Sequence, residues 1–407
     1  MPRTETTVIA GAGHAAGQVV ASLLQHDYGG RILLIGEESW LPYQRPPLSK
    51  KFLAGELPAE RLHFKASSFY DDPRIQTALG CRIEALDRER RVVRAHDGRE
   101  FSWDRLVLAT GARARRLAVP GSELAGVHYL RNIDDVLAIQ KSLALGQRLA
   151  VVGGGYIGLE VAAVGSSLGQ QVTVIEAAAR VMSRVVSPPV SEFYAALHRR
   201  HGVDLRLDSS VVEFTGATRV DGVRLADGQR IAADTVVVGV GIEPNTGLAA
   251  DAGLAVDDGI VVDERCLTDD AAVYAVGDCT SHPNAIFRRR VRLESVHNAL
   301  EQAKTAAANI CGSDTRYAQV PWFWSDQYDV KLQIAGLSQG YDMQVVRGDP
   351  DRGSFSSVYL DDGVVIAVDA INRPKDFVQA KALIAARAVI DPQRLADAGT
   401  DLKVLAG

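Results

Sequence analysis

The sequence predicts an α/β protein in which two parallel-sheet domains are followed by a smaller α+β domain. Two β–α–β units, far apart in the chain, predict the parallel sheets, and each has glycines between its first strand and its helix. A change of pattern after Pro321 predicts the last domain, because apolar and polar residues alternate there and a helical segment follows.

The composition is that of a folded protein. Of the 407 residues, 47% are hydrophobic and 23% are charged, and the formal net charge is -5. Such a chain is not expected to be disordered, and its acidic balance argues against a nucleic-acid partner. The four cysteines include no C-x-x-C pair, so we expect neither a disulfide scaffold nor a metal site.

No segment predicts association with a membrane. The first residues show no charged segment followed by an apolar one, and no run of about 18 apolar residues occurs. We therefore expect a cytoplasmic protein without a signal peptide and without a membrane partner.

The first β–α–β unit begins near the N-terminus. Its strand, helix and second strand are predicted at Thr6–Ala10, Ala15–Gln25 and Arg31–Ile35. Gly11 and Gly13 permit a tight turn and a close approach of a pyrophosphate, and the helix N-terminus offers free N–H groups. Glu37 follows the second strand, at the position of a ribose-binding carboxylate. The pattern predicts a dinucleotide site; the alternative is a glycine-rich turn without a ligand.

The second unit carries the more complete motif. Its elements are predicted at Leu149–Val152, Tyr156–Leu168 and Gln171–Ile175. All three motif glycines are present, at Gly153, Gly155 and Gly158. Glu176 closes the second strand, and a carboxylate there favours the free ribose 2′-hydroxyl of NAD over NADP. Arg180 and Arg184 lie nearby; they either weaken this preference or are solvated charges.

Apolar runs and Asp-Gly pairs predict the remaining elements. Further strands are expected at Arg91–Ala95, Arg105–Ala109, Thr235–Val240 and Val273–Val276, with hairpin turns at Asp97-Gly98 and Asp227-Gly228. The last domain is expected to contain strands at Lys331–Ala335, Gln344–Val346, Ser356–Leu360 and Val364–Ala370, and a helix at Pro374–Ala388.

Two dinucleotide motifs in one chain favour two cofactors that meet, a tightly held flavin and a diffusing nicotinamide. Each motif predicts a Rossmann-like three-layer domain. We expect a discontinuous FAD-binding domain at 1–112 and 241–320, an NAD-binding domain at 113–240 and the α+β domain at 321–407.

A series of short motifs, in a fixed order along nearly the whole chain, identifies a family. The motifs are Gly11–Gly17, Arg45–Lys50, Ala109–Gly111, Leu130-Arg131, Gly153–Glu160, Gly239–Asn245, Ala275–Asp278, Glu294–Val296 and Pro321–Gln327. The chain resembles the FAD-dependent pyridine nucleotide–disulfide oxidoreductase superfamily. Within it, the chain is similar to ferredoxin reductases of the putidaredoxin reductase type, which serve bacterial P450 and dioxygenase systems. The resemblance implies a glutathione-reductase-like architecture.

The resemblance implies a set of FAD-binding residues. Lys50 would lie by the isoalloxazine, where a cation stabilises the anionic reduced flavin, or it is a solvated lysine at the start of a helix. Asp278 would accept from a ribityl hydroxyl, and Ile83 would contact adenine through its backbone. The implied FAD set is Gly11, Gly13, Ala15, Glu37, Arg45, Lys50, Ile83, Ala109, Thr110, Gly111, Arg131, Gly277, Asp278 and Val296.

The resemblance also implies NAD-binding residues. Glu160 would bind the nicotinamide carboxamide and hold the ring against the flavin. The alternative is a first-turn carboxylate favoured by the helix dipole. The implied NAD set is Gly153, Gly155, Tyr156, Ile157, Gly158, Glu160, Glu176, Arg184, Gly241 and Ile242.

The flavin-side cysteines of the superfamily's disulfide reductases are missing. Residues 38–45 contain no cysteine, and Cys279 is expected to be a buried small hydrophobe. Electrons must then leave by another route, and single-electron transfer to an iron–sulfur protein fits. Trp324, which the resemblance implies lies near the flavin, is either a participant or a core residue. The candidate catalytic residues are Lys50, Glu160 and Trp324.

The implied partner is a small acidic [2Fe–2S] ferredoxin, which would dock on positive potential. The basic cluster offered for this docking consists of Arg288, Arg289, Arg290, Arg292 and Lys304. The alternative is an ordinary solvated charge run. We expect a monomer or a weak homodimer.

These observations predict an NADH-dependent ferredoxin reductase. NADH would give a hydride to FAD, and single electrons would pass to a [2Fe–2S] ferredoxin that supplies a cytochrome P450 or a Rieske oxygenase. The alternatives are a rubredoxin reductase or an NADH oxidase of the same fold. A third is a redox-controlled binding flavoprotein resembling apoptosis-inducing factor.

Overall fold

The computed structural model describes residues 4–405, which form two compact units. One unit contains the described part of Met1–Arg45, with Glu60–Arg113 and Glu243–Pro321. The other contains Pro46–Ala59 and Ala114–Ile242, with the described part of Trp322–Gly407. The predicted domains also included residues 1–3 and 406–407, which lie outside the described residues. Assigning one cofactor to each domain stays a prediction.

The first unit is built on a five-stranded parallel sheet. The strand order is Val273–Ala275, Arg105–Leu108, Thr6–Ala10, Arg31–Ile35 and Ile75–Ala78. Four of these strands are largely apolar and buried, because both faces of the sheet are covered, whereas the edge strand Ile75–Ala78 exposes Gln76 and Thr77. On one face the helices His14–Gln25 and Val296–Ile310 pack against each other through small residues such as Ala303 and Ala307.

The opposite face of this sheet packs against an antiparallel sheet and the fully buried Trp103. The antiparallel strands are Ile83–Asp87, Val92–Ala95 and Glu100–Ser102. A third small sheet contains Ile260–Val261, Thr280–Asn284 and Arg289–Val291, and a short helix spans Gly247–Asp251.

The second unit contains its own five-stranded parallel sheet. The order is Asp204–Arg206, Gln171–Ile175, Arg148–Val152, Thr235–Val238 and Val127–Tyr129. The helices of this part are Ile133–Leu143, Tyr156–Ser167 and Pro188–Arg200. Three antiparallel strands, Val211–Gly216, Val220–Leu225 and Arg230–Ala232, complete it.

The same unit includes a five-stranded antiparallel sheet near the C-terminus. Its order is Trp322–Gln327, Val330–Gly336, Val364–Ile371, Ser354–Asp361 and Met343–Asp349. The helices Pro374–Ala385 and Pro392–Ala396 follow. Short strands at Ala112–Ala114 and Ile242–Pro244 lie where the chain passes from one unit to the other. Short 3₁₀ helices span Pro46–Ser49, Ala59–Leu62, Ser67–Asp71 and Leu402–Val404.

The predicted fold class is confirmed, and the predicted strands and helices differ from the observed ones at their ends. Some observed elements, such as the helices Ile133–Leu143 and Pro188–Arg200, were not predicted. The helix expected at Pro374–Ala388 ends at Ala385, because Arg387 adopts a φ of 50° that a helix does not accommodate. The strand expected at Thr235–Val240 ends at Val238, where a glycine loop begins. Among residues 4–405, no helix has both the length and the apolar character needed to cross a bilayer.

Candidate functional site

Two turns of the same construction begin the two dinucleotide motifs. Gly11 has a φ of 119°, and a Cβ there would lie 2.2 Å from the carbonyl oxygen of Ala109. Gly153 has a φ of 106°, and a Cβ there would lie 2.4 Å from the carbonyl oxygen of Gly239. Both positions therefore require glycine, for the backbone conformation and for the close approach of the neighbouring loop.

The helix that follows each turn starts without a side-chain cap. Gly13 and Gly155 are the N-cap residues, and neither helix start has a side-chain hydrogen bond at this position. A Cβ on Gly155 would meet nothing within 4 Å, and one on Gly13 would meet only Arg45, at 3.9 Å. The first N–H groups and the positive dipole end of each helix thus face open space. This arrangement fits a dinucleotide pyrophosphate at both turns.

Arg45 completes the surroundings of the first turn. Its guanidinium lies 2.7 Å from a Glu38 carboxylate oxygen and donates to the Tyr43 hydroxyl at 3.0 Å. Burial opposes the charge, but Tyr43 and Glu38 raise the pKa of Arg45 above its ordinary value. Arg45 therefore brings a permanent positive charge to within reach of an anion at Gly13.

A second loop of the first unit is clamped by Asn245. The Asn245 amide donates to the Thr110 carbonyl at 2.9 Å, and the Thr110 hydroxyl donates to the Asn245 carbonyl at 2.7 Å. The Asn245 backbone N–H also donates to Gly111. These bonds hold the predicted Ala109–Gly111 segment in a fixed turn at the end of a central strand.

A third loop, Gly277-Asp278, is held by the helix Val296–Ile310. The Gly277 N–H donates to Gln302 Oε1 at 2.7 Å, and a Cβ on Gly277 would lie 3.3 Å from Ala15. Gln302 Nε2 and Asn298 Oδ1 are buried without a hydrogen-bond partner among the described residues. Buried polar atoms of this kind normally pair with a bound group or with ordered water, which fits a ligand beside this loop.

The second unit contains a buried glutamate, Glu160, whose carboxylate is held by three side chains. It lies one turn into the helix that begins at the second glycine turn, and only 2% of the residue is exposed. One carboxylate oxygen accepts from Ser49 Oγ at 2.5 Å and lies 2.7 Å from Lys50 Nζ. The other accepts from Ser325 Oγ at 2.6 Å. A buried, ionised carboxylate with three donors is thus assembled from three distant parts of the chain.

The strand Trp322–Gln327 supplies the last of these donors by simple alternation. Phe323 and Ser325 lie on one face of the strand, where Phe323 packs on Tyr156 with ring centroids 4.8 Å apart. Trp324 has its neighbour Trp322 at 5.5 Å and is half-buried. Of the three predicted catalytic residues, Lys50 and Glu160 are in contact with each other, and Trp324 packs beside the Trp322 ring.

Glu176 is bonded to its own loop, and Glu37 is not. The Glu176 carboxylate accepts from the N–H groups of Gly154 at 2.6 Å and Ala178 at 2.8 Å, so it is fixed beside the second turn. Glu37 is exposed at the end of its strand. A Cβ on Gly241, whose φ is 108°, would lie 4.0 Å from the Arg184 guanidinium. Arg180 donates to the carbonyls of Val186 and Ser183.

The remaining predicted residues lie at or near the ends of strands and helices. Ile83 begins a strand, Val296 begins a helix and Arg131 donates its backbone N–H to the Asp135 carboxylate at 2.9 Å. Ala15 is buried in the first turn of its helix, Ile157 is exposed, Gly158 is buried and Ile242 begins a short strand.

The thiols of the described residues are all shifted against ionisation. Cys81, Cys266 and Cys279 are buried, Cys311 is half-buried, and burial raises the pKa of each thiol. One group, Cys81, His96 and Asp97, places three potential metal ligands within 4.8 Å of one another. The Asp97 carboxylate there already accepts two bonds from Arg99. The structure therefore does not present a preformed metal site at this position.

The basic cluster is already partly neutralised within the first unit. Arg290 donates to the carbonyls of Val262 at 2.8 Å and Ser281 at 2.5 Å. Arg292 is paired with Asp258 and Glu294, and Lys304 with Glu301. Arg288, Arg289, Arg290 and Lys304 are exposed, and Arg292 is half-buried. The five basic residues therefore do not form a uniform charged surface.

Sequence reasoning missed four polar residues of these sites. Ser49, Asn245 and Ser325 lie inside recognised motifs, but their partners are remote in sequence. Gln302 lies outside every recognised motif. The only available signal was its polarity on an otherwise alanine-rich buried helix face.

Comparison with known proteins gives concordant matches. The pyridine nucleotide-disulphide oxidoreductase family model matches residues 5–303, and the reductase C-terminal model matches residues 322–406. The 5,5'-dehydrodivanillate O-demethylase ferredoxin reductase subunit of Sphingobium sp. is 47% identical, with 100% of this chain and 99% of that protein covered. Putidaredoxin reductase CamA of Pseudomonas putida is 43% identical, with 99% and 97% covered. A covalent putidaredoxin reductase–putidaredoxin complex superposes with a TM-score of 0.95 at 43% identity, covering 98% of both chains.

Proposed function

This chain belongs to the pyridine nucleotide-disulphide oxidoreductase family, and on that premise we propose that it is an NADH-dependent ferredoxin reductase. The observation that carries the proposal is the buried Glu160, held by Lys50 and two serines one turn behind an open glycine turn. Residues 38–45 contain no cysteine, so we do not assign a thiol–disulfide pair as the acceptor of the electrons. The supported acceptor is a one-electron protein partner.

The first unit offers the residues that would hold FAD. When bound, FAD accepts a hydride from a nicotinamide and gives up its electrons singly. The turn at Gly11 and Gly13 and the Arg45 charge would bind the pyrophosphate. We assign Asp278 to the ribityl chain. Supporting contacts are assigned to Ala15, Glu37, Ile83, Ala109, Thr110, Gly111, Gly277 and Val296. Arg131 stays a separate prediction, as a partner for a phosphate.

The second unit offers the residues that would hold NADH. The open N-terminus of the helix Tyr156–Ser167 would take the pyrophosphate, and Glu176 would accept from the adenosine ribose hydroxyls. We assign Ile157, Gly158, Arg184, Gly241 and Ile242 to the walls of this site. The fixed Glu176 carboxylate supports NAD rather than NADP, because a 2′-phosphate beside it would be repelled.

Glu160 is assigned to the nicotinamide carboxamide. One Glu160 oxygen accepts from Ser325 among the described residues, and a carboxylate oxygen can accept about two hydrogen bonds. The second position would accept a carboxamide N–H and so orient the ring. Lys50 supplies a positive charge at the same carboxylate and would stabilise the negative charge that hydride uptake creates. We assign Trp324 to the region through which electrons leave the reduced flavin.

The proposed partner is a [2Fe–2S] ferredoxin that supplies an oxygenase. The solved complex of a reductase with putidaredoxin supports a partner of this kind. Arg288 and Arg289 are two adjacent exposed arginines of the basic cluster, and we assign them to an acidic protein. The internal bonds of Arg290 make it a structural residue instead.

The test uses the purified FAD-loaded protein and cytochrome c as the final acceptor. We expect NADH to reduce cytochrome c rapidly only when a [2Fe–2S] ferredoxin is added. Parallel reactions with rubredoxin, and with oxygen alone, test the alternative electron acceptors. Equal rates without ferredoxin, or faster reduction through rubredoxin, would overturn the proposed acceptor.

A further inference from the structure

A chain of hydrogen-bonded side chains leads from Glu160 into the interior of the second unit. Ser325 donates to Glu160 at 2.6 Å, and Gln327 Nε2 donates to Ser325 Oγ at 3.2 Å. The other end of the Gln327 amide lies 2.9 Å from His198 Nε2. All four residues are buried, with exposures of 2% or less. Water therefore does not compete for these bonds, and the side chains alone determine which atom donates the proton in each hydrogen bond.

The ionised carboxylate determines which atom donates in every link. A carboxylate only accepts, so the Ser325 hydroxyl must donate to Glu160. The Ser325 oxygen then accepts from the Gln327 NH₂ group, which turns the amide oxygen towards His198. His198 Nε2 must therefore carry a proton and donate it to Gln327.

The far side of the His198 ring is consistent with this tautomer. The Tyr328 hydroxyl lies 3.3 Å from His198 Nδ1, which is then free to accept. Burial lowers the pKa of His198 to about 4, so the ring is neutral at pH 7. The Tyr328 ring also stacks on His201, with centroids 3.6 Å apart, and this contact holds the hydroxyl in place.

We propose that His198 is a positioning residue that acts through Gln327 and Ser325 to keep Glu160 an acceptor for the NADH carboxamide. This inference rests on the proposed function, because it takes Glu160 to contact NADH. Without a donor at position 198, the Gln327 amide oxygen is left buried and unpaired. Gln327 then loses the bond that fixes its amide, and Ser325 loses the positioned N–H that orients its hydroxyl towards Glu160. The Ser325 bond to the carboxylate would weaken, and Glu160 would be held less firmly in its orientation.

The first experiment compares two substitutions of the same histidine in the FAD-loaded protein. His198→Gln keeps an N–H donor of suitable length, whereas His198→Met keeps the volume and removes the donor. We expect His198→Met to weaken NAD⁺ binding, measured by calorimetry, about tenfold. His198→Gln should bind nearly as the wild type does. With ferricyanide as acceptor, His198→Met should raise the KM for NADH far more than it lowers kcat.

His128→Gln is the matched control. His128 is a half-buried histidine of the same unit whose pKa is also lowered by burial, and no described bond joins it to Glu160. It should bind NAD⁺ as the wild type does. Equal binding by His198→Met and the wild type would overturn the positioning role, as would equal weakening in His198→Gln and His198→Met. Failure of the wild type itself to bind NAD⁺ would instead overturn the proposed function.

The second experiment detects coupling along the hydrogen-bonded side chains directly, and it does not depend on the stability of His198→Met. In ¹⁵N-histidine-labelled protein, the His198 signals are identified by their loss in His198→Gln. We expect a neutral ring protonated at Nε2. Glu160→Gln introduces a donor at the other end of the chain and should move the Nε2 resonance, and Gln327→Met should move it as well. An unchanged Nε2 resonance in both variants would overturn the coupling.

Discussion

Replacing Lys50 with methionine tests the geometry of the Glu160 site quantitatively. The substitution removes a positive charge that lies 2.7 Å from the buried carboxylate while keeping most of the apolar stem. At an effective dielectric constant of about 20, two unit charges at that distance attract by about 6 kcal/mol. The cost of burying the charges offsets part of this attraction.

We expect Lys50→Met to lower the free energy of unfolding by about 3 kcal/mol. This is the low end of the range for breaking a buried pair, because the Lys50 side chain keeps 18% of its surface exposed. Ser49 and Ser325 also continue to donate to the carboxylate. The assay is urea unfolding of Lys50→Met, Glu160→Gln and the double variant, since the cycle isolates the interaction between the two side chains.

Lys51→Met is the control for this measurement. Lys51 is the next residue in the chain and is exposed, so its replacement should change stability by less than about 0.5 kcal/mol. The reasoning is refuted if the effects of Lys50→Met and Glu160→Gln simply add in the double variant, within about 0.5 kcal/mol. In that case the two side chains do not interact in solution.

Three further predictions concern other parts of the molecule. Burial raises the pKa of Asp369 from 3.8 to about 7, so the folded protein holds a proton there that the unfolded chain has lost. Stability should therefore fall as pH rises from about 4 to 7; Asp369→Asn should flatten that slope in urea unfolding, and an unchanged slope would contradict the assignment. Gly11→Ala should abolish FAD retention during purification, because its Cβ would lie 2.2 Å from a carbonyl oxygen, whereas full flavin content by absorbance would disprove the assignment. The double variant Arg288→Glu and Arg289→Glu should raise the KM for ferredoxin at least tenfold without slowing flavin reduction by NADH, since charge reversal repels an acidic partner; unaltered ferredoxin kinetics would exclude this docking face.

The glycine turns could be predicted from sequence because they are formed by residues that are close together in the chain. A strand, a tight turn and a helix within a short stretch leave a recognisable spacing of glycines, and the structure places Gly11 and Gly153 in equivalent conformations. The positions of Glu37 and Glu176 also follow from the sequence, because each residue comes directly after the predicted end of a strand. Only the structure shows that Glu176 is bonded to its loop and that Glu37 is exposed.

The surroundings of Glu160 could not be predicted in the same way. Its partners Ser49 and Ser325 are 111 and 165 residues away, and nothing local in the sequence indicates these contacts. Alternation along the strand Trp322–Gln327 does indicate that Ser325 and Gln327 share a face. It does not indicate that this face meets His198. The bonds of Arg290 to backbone carbonyls are likewise invisible in a run of arginines.

The most direct test of the proposed function is rapid mixing of the NADH-reduced protein with an oxidised [2Fe–2S] ferredoxin under anaerobic conditions. Flavin absorbance follows the donor, and the iron–sulfur absorbance follows the acceptor. We predict that two equivalents of ferredoxin are reduced per NADH, much faster than the same reduced protein reacts with oxygen. Reduced flavin that persists in the presence of ferredoxin, or that oxygen oxidises faster, would contradict the assignment.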